Sequence, residues 1–525
     1  MRRRIFFLAL LGFCCALVLF CPAPGNDGTK TVVILSLADL HGRLDPALEL
    51  RAEGDGRDVV ERGGLAGVAS VAEAMRLKHP GAVLFVCCGD DFGGPYFLKF
   101  RGRATCSLLS RIGVDVGTLG NHELDIGAST LADALSCCDF PIVESNVVLK
   151  PHTPLSEKLV DYRVFERGGV RIGVLGLLGP GLCLPARDGA GVEVRPDLVS
   201  EARRAARELR RKERVDLVVA LTHAGIEADM TIARRVGEID LICGGHSHIV
   251  LPRGDELVFR HRGGRSTIVT HPGSYGRTLG VLKLGIRRGR IVSHDWEPVS
   301  IDARVPIERS VETLLESFRK GLPEETVLTA TQVPVDLQRA ALRTGEAAIG
   351  DFICDSLRCR LGVDIVLLNG GAFRGDRVIP PGPVTTRDID AMLPFEDRIV
   401  VLRLRGSVVR EALEHGISAL PEPFGGFLQV SGLRFVVNEG GAPGGRILTV
   451  EAEGGDGGYG PLGTDRFYRV AVNDFLAGGG DGYSMMEGAE ILSRSEGLLT
   501  ETVEEILETE PEIAPAVDGR IRIER

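Results

Sequence analysis

The sequence predicts an α/β chain of two domains. Across residues 30–305, short runs rich in Val, Leu and Ile alternate with amphipathic stretches such as DLVSEARRAARELRRK, the pattern of strands covered on both faces by helices. At 525 residues the chain exceeds what a single hydrophobic core holds. From residue 331 to 525 it restarts with strands and Gly-rich loops of its own.

In chain order, the first element is a leader. MRRR is basic, IFFLALLGFCCALVLF is an apolar run of about 16 residues, and CPAPGN is rich in small residues. A membrane span needs roughly 20 apolar residues, so residues 1–25 read as a signal peptide cut near Ala23-Pro24-Gly25. The expectation is export, to the periplasm, the cell surface or the medium. The alternative is a lipid anchor at Cys21, although Phe20 stands before it where a small residue is usual.

Five apolar runs follow, each ending on residues that can ligate metal. TVVILSLADLH ends on Asp39 and His41, GAVLFVCCGD on Asp90, and DVGTLGNHELD presents Asn121, His122 and Asp125. VDLVVALTH ends on His223, and IDLICGGHSH on His246 and His248. A single DLH or GD is an ordinary strand-end cap or turn. GNHELD is more specific, with four polar residues behind one glycine, and GGHSH places alternate histidines on one side of an extended segment. Five such runs in succession point to a site for two divalent metals sharing a carboxylate, at the strand C-terminal ends where α/β folds build their sites. Oxygen and nitrogen donors without sulfur suit Mn, Zn, Co or Mg.

The stretch IERSVETLLESFRKG has apolar residues at helical spacing and stops at Gly321 and Pro323, which makes residues 306–330 the natural linker helix. Beyond it, NGGAFR follows the apolar run VDIVLL, placing Asn369 and Arg374 on a Gly-rich loop where bare backbone can approach a ligand. ALRTGEAAIGD places Arg343 at the entry to an amphipathic stretch. LPFED puts Phe395 on a Pro turn, and NDFLAGGGDGY separates Phe475 from Asp481 by a glycine run. Phenylalanine normally packs in the core, but beside Pro or Gly-rich loops it is harder to bury. EGGAPGGR and EGGDGGYG read as hairpin loops.

Composition narrows the function. Apolar residues at 44% and charged residues at 26% are ordinary for a folded protein. A formal charge of −10 leaves no expectation of a nucleic-acid partner, which calls for a basic face. Of the 12 cysteines, three fall in the leader, and the odd remainder shows no C-x-x-C spacing, so neither a cysteine zinc site nor a disulfide is assigned. Cys87 and Cys88 follow an apolar run, where at least one should be a small buried hydrophobe.

The motifs DLHGR, GDDFGG, GNHELD, LTHAG and GGHSH, in that order, together with the C-terminal half, resemble the calcineurin-like metallophosphoesterases of the 5′-nucleotidase type, including UDP-sugar hydrolases. The resemblance implies an N-terminal four-layer α/β/β/α sandwich over residues 30–305 and a C-terminal nucleotide-binding domain over residues 331–525. It implies one metal held by Asp39, His41, Asp90 and His248, and a second by Asp90, Asn121, His223 and His246. His122, which is not a ligand in this reading, and Asn121 would stabilise charge on the phosphoryl oxygens, with Asp125 hydrogen-bonded to the imidazole of His122. Arg343, Asn369 and Arg374 would contact phosphate or ribose, Phe395 and Phe475 would sandwich a base, and Asp481 would hold the ribose hydroxyls. Two departures from the family pattern stand out. Ala38 replaces a polar residue, and Gly345 and Ala347 stand where relatives often carry a second arginine, leaving an expected phosphate clamp one arginine lighter.

The implied activity is hydrolysis of nucleotides or nucleotide sugars by metal-activated water. The alternatives are a 2′,3′-cyclic-nucleotide phosphodiesterase/3′-nucleotidase, a thiosulfohydrolase, and a catalytically silent nucleotide-binding surface protein. A silent relative should have lost ligands, and a thiosulfohydrolase has no use for the Phe395 and Phe475 pair. The oligomeric state is not legible.

Overall fold

The computed structural model describes residues 28–53, 56–180, 192–455 and 457–524; the leader and Cys21 lie outside the described residues. Strand Lys30–Leu37 shows why the N-terminal half is layered. Its residues are apolar on both faces, as a strand covered on both sides requires. Val32 and Ile34 enter one core, and Val33, Leu35 and Leu37 enter another. Strand Leu217–His223 divides the same way, Val219 and Leu221 to one side and Val218 and Ala220 to the other. This period-two alternation builds two sheets with a shared core between them.

The first sheet has seven strands, in the order Arg290–Ser300, Thr278–Arg287, Lys30–Leu37, Val83–Cys87, Val116–Gly117, Ile142–Val143, Leu159–Val160. The second has six: Leu257–Arg260, Ser266–Thr270, Leu241–Gly244, Leu217–His223, Val170–Leu178, Tyr162–Arg167. Val86, Val116, Val174, Ile268 and Trp296 fill the space between them. Helices Leu65–Lys78, Arg103–Arg111 and Ala128–Leu135 cover the outside of the first sheet, and Leu198–Arg211 and Ile226–Arg235 the outside of the second. The result is an α/β/β/α sandwich. Helix Leu198–Arg211 buries Ala202, Ala205, Ala206 and Leu209, the i, i+3, i+4, i+7 stripe of an amphipathic helix, and Asp197 caps it through the Ser200 N–H at 3.0 Å.

Helix Arg309–Arg319, capped by Glu308, packs Val311 and Leu315 into the helix-side core of the first sheet and Phe318 against Phe100. The chain then enters a five-stranded sheet ordered Leu428–Ser431, Ile365–Asn369, Phe467–Asn473, Arg398–Arg405, Glu490–Leu498. Val366 and Leu368 face helices Ala348–Leu361 and Leu499–Glu508; Ile365 and Leu367 face helix Gly406–Gly416 and a four-stranded sheet. The EGGAPGGR stretch links antiparallel strands Leu433–Asn438 and Ile447–Glu453, and the second Gly-rich stretch links the latter to Tyr459–Pro461. Not foreseen was an antiparallel ribbon, Pro46–Glu53 with Gly56–Gly63. Cys87 and Cys88 are both fully buried, and no helix among the described residues is long and apolar enough to cross a membrane.

Candidate active site

The C-terminal ends of parallel strands from both sheets meet at one crest. Lys30–Leu37 delivers Asp39 and His41, Val83–Cys87 delivers Asp90, and Val116–Gly117 leads to the short helix Asn121–Asp125. From the second sheet come His223, and His246 and His248 after Leu241–Gly244. Asp39, His41, Asp90, His246 and His248 all have left-handed backbone, with φ of 52°, 47°, 54°, 72° and 58°. Such conformations are costly for non-glycine residues and gather where function holds them.

The side chains from the five runs converge. Ligand atoms of Asp39, His41 and His248 lie within 4.8 Å of one another, as do those of Asp90, His223 and His246, and those of His41, Asp90 and His122. Asp90 therefore stands between the groups. Its Oδ2 lies 3.1 Å from His223 Nε2 and 3.9 Å from His41 Nε2, while Oδ1 accepts the His122 N–H at 3.0 Å. Asn121 Oδ1 is 3.2 Å from His246 Nδ1, and both Asp39 oxygens accept the His246 N–H at 3.0 Å. His223 Nδ1 lies 2.8 Å from the Cys88 carbonyl, which leaves Nε2 to face the cluster. The Asp125 side chain lies outside the described residues.

This donor set fits divalent cations. His41 Nε2 and His248 Nε2 face each other at 3.0 Å, and His223 Nε2 points at the Asp90 and Asp39 carboxylates, 3.1 and 4.0 Å away. Nitrogen facing nitrogen beside two buried carboxylates is what a cation resolves. Burial drives His41 and His248 well below the ordinary imidazole pKa and His246 down to about 3, the neutral form that ligates metal. Burial opposes the charge on Asp90, but His223, His122 and His41 outweigh it and hold the carboxyl well below its usual range.

The C-terminal loops close over this crest. Arg374 Nη2 lies 2.8 Å from His122 Nε2, its guanidinium sits 5.0 Å from the Phe395 ring centre, and that ring lies 5.5 Å from the His122 ring. Asn369 Nδ2 donates to Asp481 Oδ2 at 2.9 Å, and Asn473 Nδ2 donates to Asn369 Oδ1 at 3.2 Å. Phe475 is half-buried; a Cβ added to Gly480 would stand 2.5 Å from its ring, so the ring packs against that glycine. Arg343 is 7% exposed, and burial with the neighbouring charges of Arg374 and Arg339 pushes it down to about 9. The Nε atoms of Arg343 and Arg374 are buried without partners. Converging guanidinium groups with unused donors have the chemistry to hold an anion.

Three residues of the site were not foreseen. Arg339 stands one helical turn before Arg343 and donates to the His246 carbonyl at 3.3 Å, which brings a further guanidinium to the crest from before the motif rather than after it. Glu123 accepts from the N–H groups of Asp90, Asp91, Phe92 and Gly120 at 2.7–3.1 Å, tying GDDF to GNHE. Tyr275 packs its ring against His41 and His248, centres 5.5 and 5.4 Å away. A tyrosine in a turn with Gly273 and Gly276, one of only six tyrosines in the chain, was the available signal.

Residues 32–250 match the calcineurin-like phosphoesterase family model, and residues 326–488 match that of the 5′-nucleotidase C-terminal domain. The chain belongs to the 5′-nucleotidase family. A 5′-nucleotidase precursor from Thermus thermophilus superposes with a TM-score of 0.86 at 29% identity, covering 94% of this chain and 99% of that one. Protein 5NUC of Lutzomyia longipalpis is 28% identical over 95% of this chain and 94% of its own length. The human 5′-nucleotidase is 27% identical, with 94% and 91% covered. As a member of this family the chain is a metal-dependent phosphoric ester hydrolase.

Proposed function

We propose that this 5′-nucleotidase family member is an exported enzyme that removes phosphate from nucleoside 5′-monophosphates with two divalent metal ions. The observation that carries the reading is the approach of Arg374 to His122, which joins a C-terminal loop of the substrate-binding type to the metal-ligand cluster. Asp39, His41, Asp90 and His248 would hold one ion, and Asp90, Asn121, His223 and His246 the other. When bound, the ions supply Lewis acidity, activating water and offsetting charge on the phosphoryl oxygens.

The chain's own groups do the rest. Arg339, Arg343 and Arg374 bind and orient the phosphate. His122 would donate to a phosphoryl oxygen as negative charge grows there, with Asp125 as its positioning partner. Phe395 and Phe475 stack on the two faces of the base, and Asn369 and Asp481 fix the ribose hydroxyls. Residues 30–305 form the catalytic domain, 306–330 the linker and 331–525 the substrate domain. Export rests on the basic and apolar leader.

A panel of AMP, UMP, ADP, UDP-glucose and 2′,3′-cyclic nucleotides, assayed with Mn²⁺ or Zn²⁺, tests the reading. Phosphate release should be fastest from a 5′-monophosphate. A preference for the cyclic substrates, or turnover of UDP-glucose above AMP, would overturn it.

A further inference from the structure

Three arginines converge behind the substrate loop. Arg43 follows the DLHG turn, Arg277 follows the PGSYG turn, and Arg377 stands three residues past Arg374. Glu49 lies among them, only 8% exposed, on the first strand of the ribbon Pro46–Glu53 with Gly56–Gly63. Its Oε1 accepts from Arg43 Nη1 at 3.2 Å and from Arg277 Nε at 2.8 Å. Other donors of the same two guanidinium groups cross to the C-terminal half. Arg43 Nη2 donates to the Gly375 carbonyl at 2.9 Å, and Arg277 Nη2 to the Asp376 carbonyl at 2.5 Å. In the opposite direction, Arg377 Nη1 donates to the Leu48 carbonyl at 3.0 Å while Asp388 holds its Nη2 at 2.6 Å.

The gripped carbonyls belong to the two residues directly after Arg374. Gly375 and Asp376 have φ of 110° and 46°, so this bend is strained at Asp376 and needs outside contacts to persist. Burial, with the charges of Arg277 and Arg377 beside it, pushes the Arg43 guanidinium down to about 9. Removing a carboxylate from such a group leaves buried cations facing one another.

We propose that Glu49 is a positioning residue. By neutralising Arg43 and Arg277 it lets them grip the carbonyls of residues 375 and 376, and so seats Arg374 against His122. The inference rests on the reading of Arg374 as a phosphate ligand, and it makes the ribbon part of substrate binding, acting through Arg374.

The test uses the full chain with Mn²⁺ and p-nitrophenyl phosphate, which carries no nucleobase, so it does not depend on the nucleotide assignment. Glu49→Gln should raise KM by about tenfold or more, with metal content as in the parent protein at a temperature where both are folded, and Glu49→Asp should recover part of the loss. The double variant Glu49→Gln/Arg374→Ala should be no worse than Arg374→Ala alone, because both changes remove the same contact. Losses that add, or an unchanged KM in Glu49→Gln, would overturn the proposal. If Glu49→Gln lowers Tm, Arg377→Gln, on the other side of the contact, replaces it in the same cycle and is judged the same way. An Arg374→Ala variant with undiminished kcat/KM would remove the phosphate-ligand reading and this proposal with it.

Discussion

Asp90 is tied by one oxygen to the backbone of His122 and by the other to His223, so it faces both metal-ligand groups at once. Asp90→Ala should therefore lose more metal than His248→Ala, which serves one group only. Elemental analysis of the two purified variants decides it, and equal losses would argue against a shared carboxylate. His122 differs from its neighbours because its Nε2 meets Arg374. His122→Ala should keep its metal yet lower kcat on the order of a hundred- to a thousandfold, the usual effect of removing one donor to developing charge. Metal loss in that variant would show that the imidazole is a ligand instead. The sequence revealed these residues because each ends an apolar run. The left-handed backbone at Asp39 or His246 was not legible, since aspartate and histidine, although enriched there, adopt that conformation in only a small fraction of cases.

At the scale of the elements, two glycine turns interlock. A Cβ on Gly120 would lie 2.1 Å from Asp90 Oδ1, and one on Gly89 would lie 2.4 Å from the Gly120 nitrogen. Gly120 has φ of −102°, so space rather than backbone freedom demands glycine there. Gly120→Ala should displace Asp90 and reduce bound metal, and a fully loaded variant would contradict this. Glu123→Gln keeps the shape but weakens the hydrogen bonds that join the two turns. Bonds to a charged group contribute about 1.5–3 kcal/mol each, so its urea midpoint should fall measurably. The strands and the helix Arg309–Arg319 were legible from periodicity. The role of Glu123 was not, because three of the N–H groups it binds come from a turn some 30 residues earlier in the chain. The ribbon at 46–63 also escaped notice, since strands such as GRDVVERG lack a continuous apolar run.

At the scale of the molecule, the two halves meet at the metal-ligand cluster, so folding and loading should be coupled. A ligand present at 100 times its Kd stabilises the native state by about 2.7 kcal/mol. Chelator treatment should lower Tm, and an unchanged Tm would mean that no ion is held at the crest. The division into two halves could be read from length and from the restart of strands after residue 331. The closeness of the halves could not, because contacts such as Arg374 to His122 span 252 residues. In the proposed reaction one half holds the phosphate over metal while the other selects a nucleoside. The most direct measurement is kcat/KM for AMP and for p-nitrophenyl phosphate in Phe475→Ala. Loss of base stacking should cost about 1–3 kcal/mol on AMP and leave the base-free ester nearly unchanged. An equal loss on both substrates would make Phe475 a packing residue and contradict the claim.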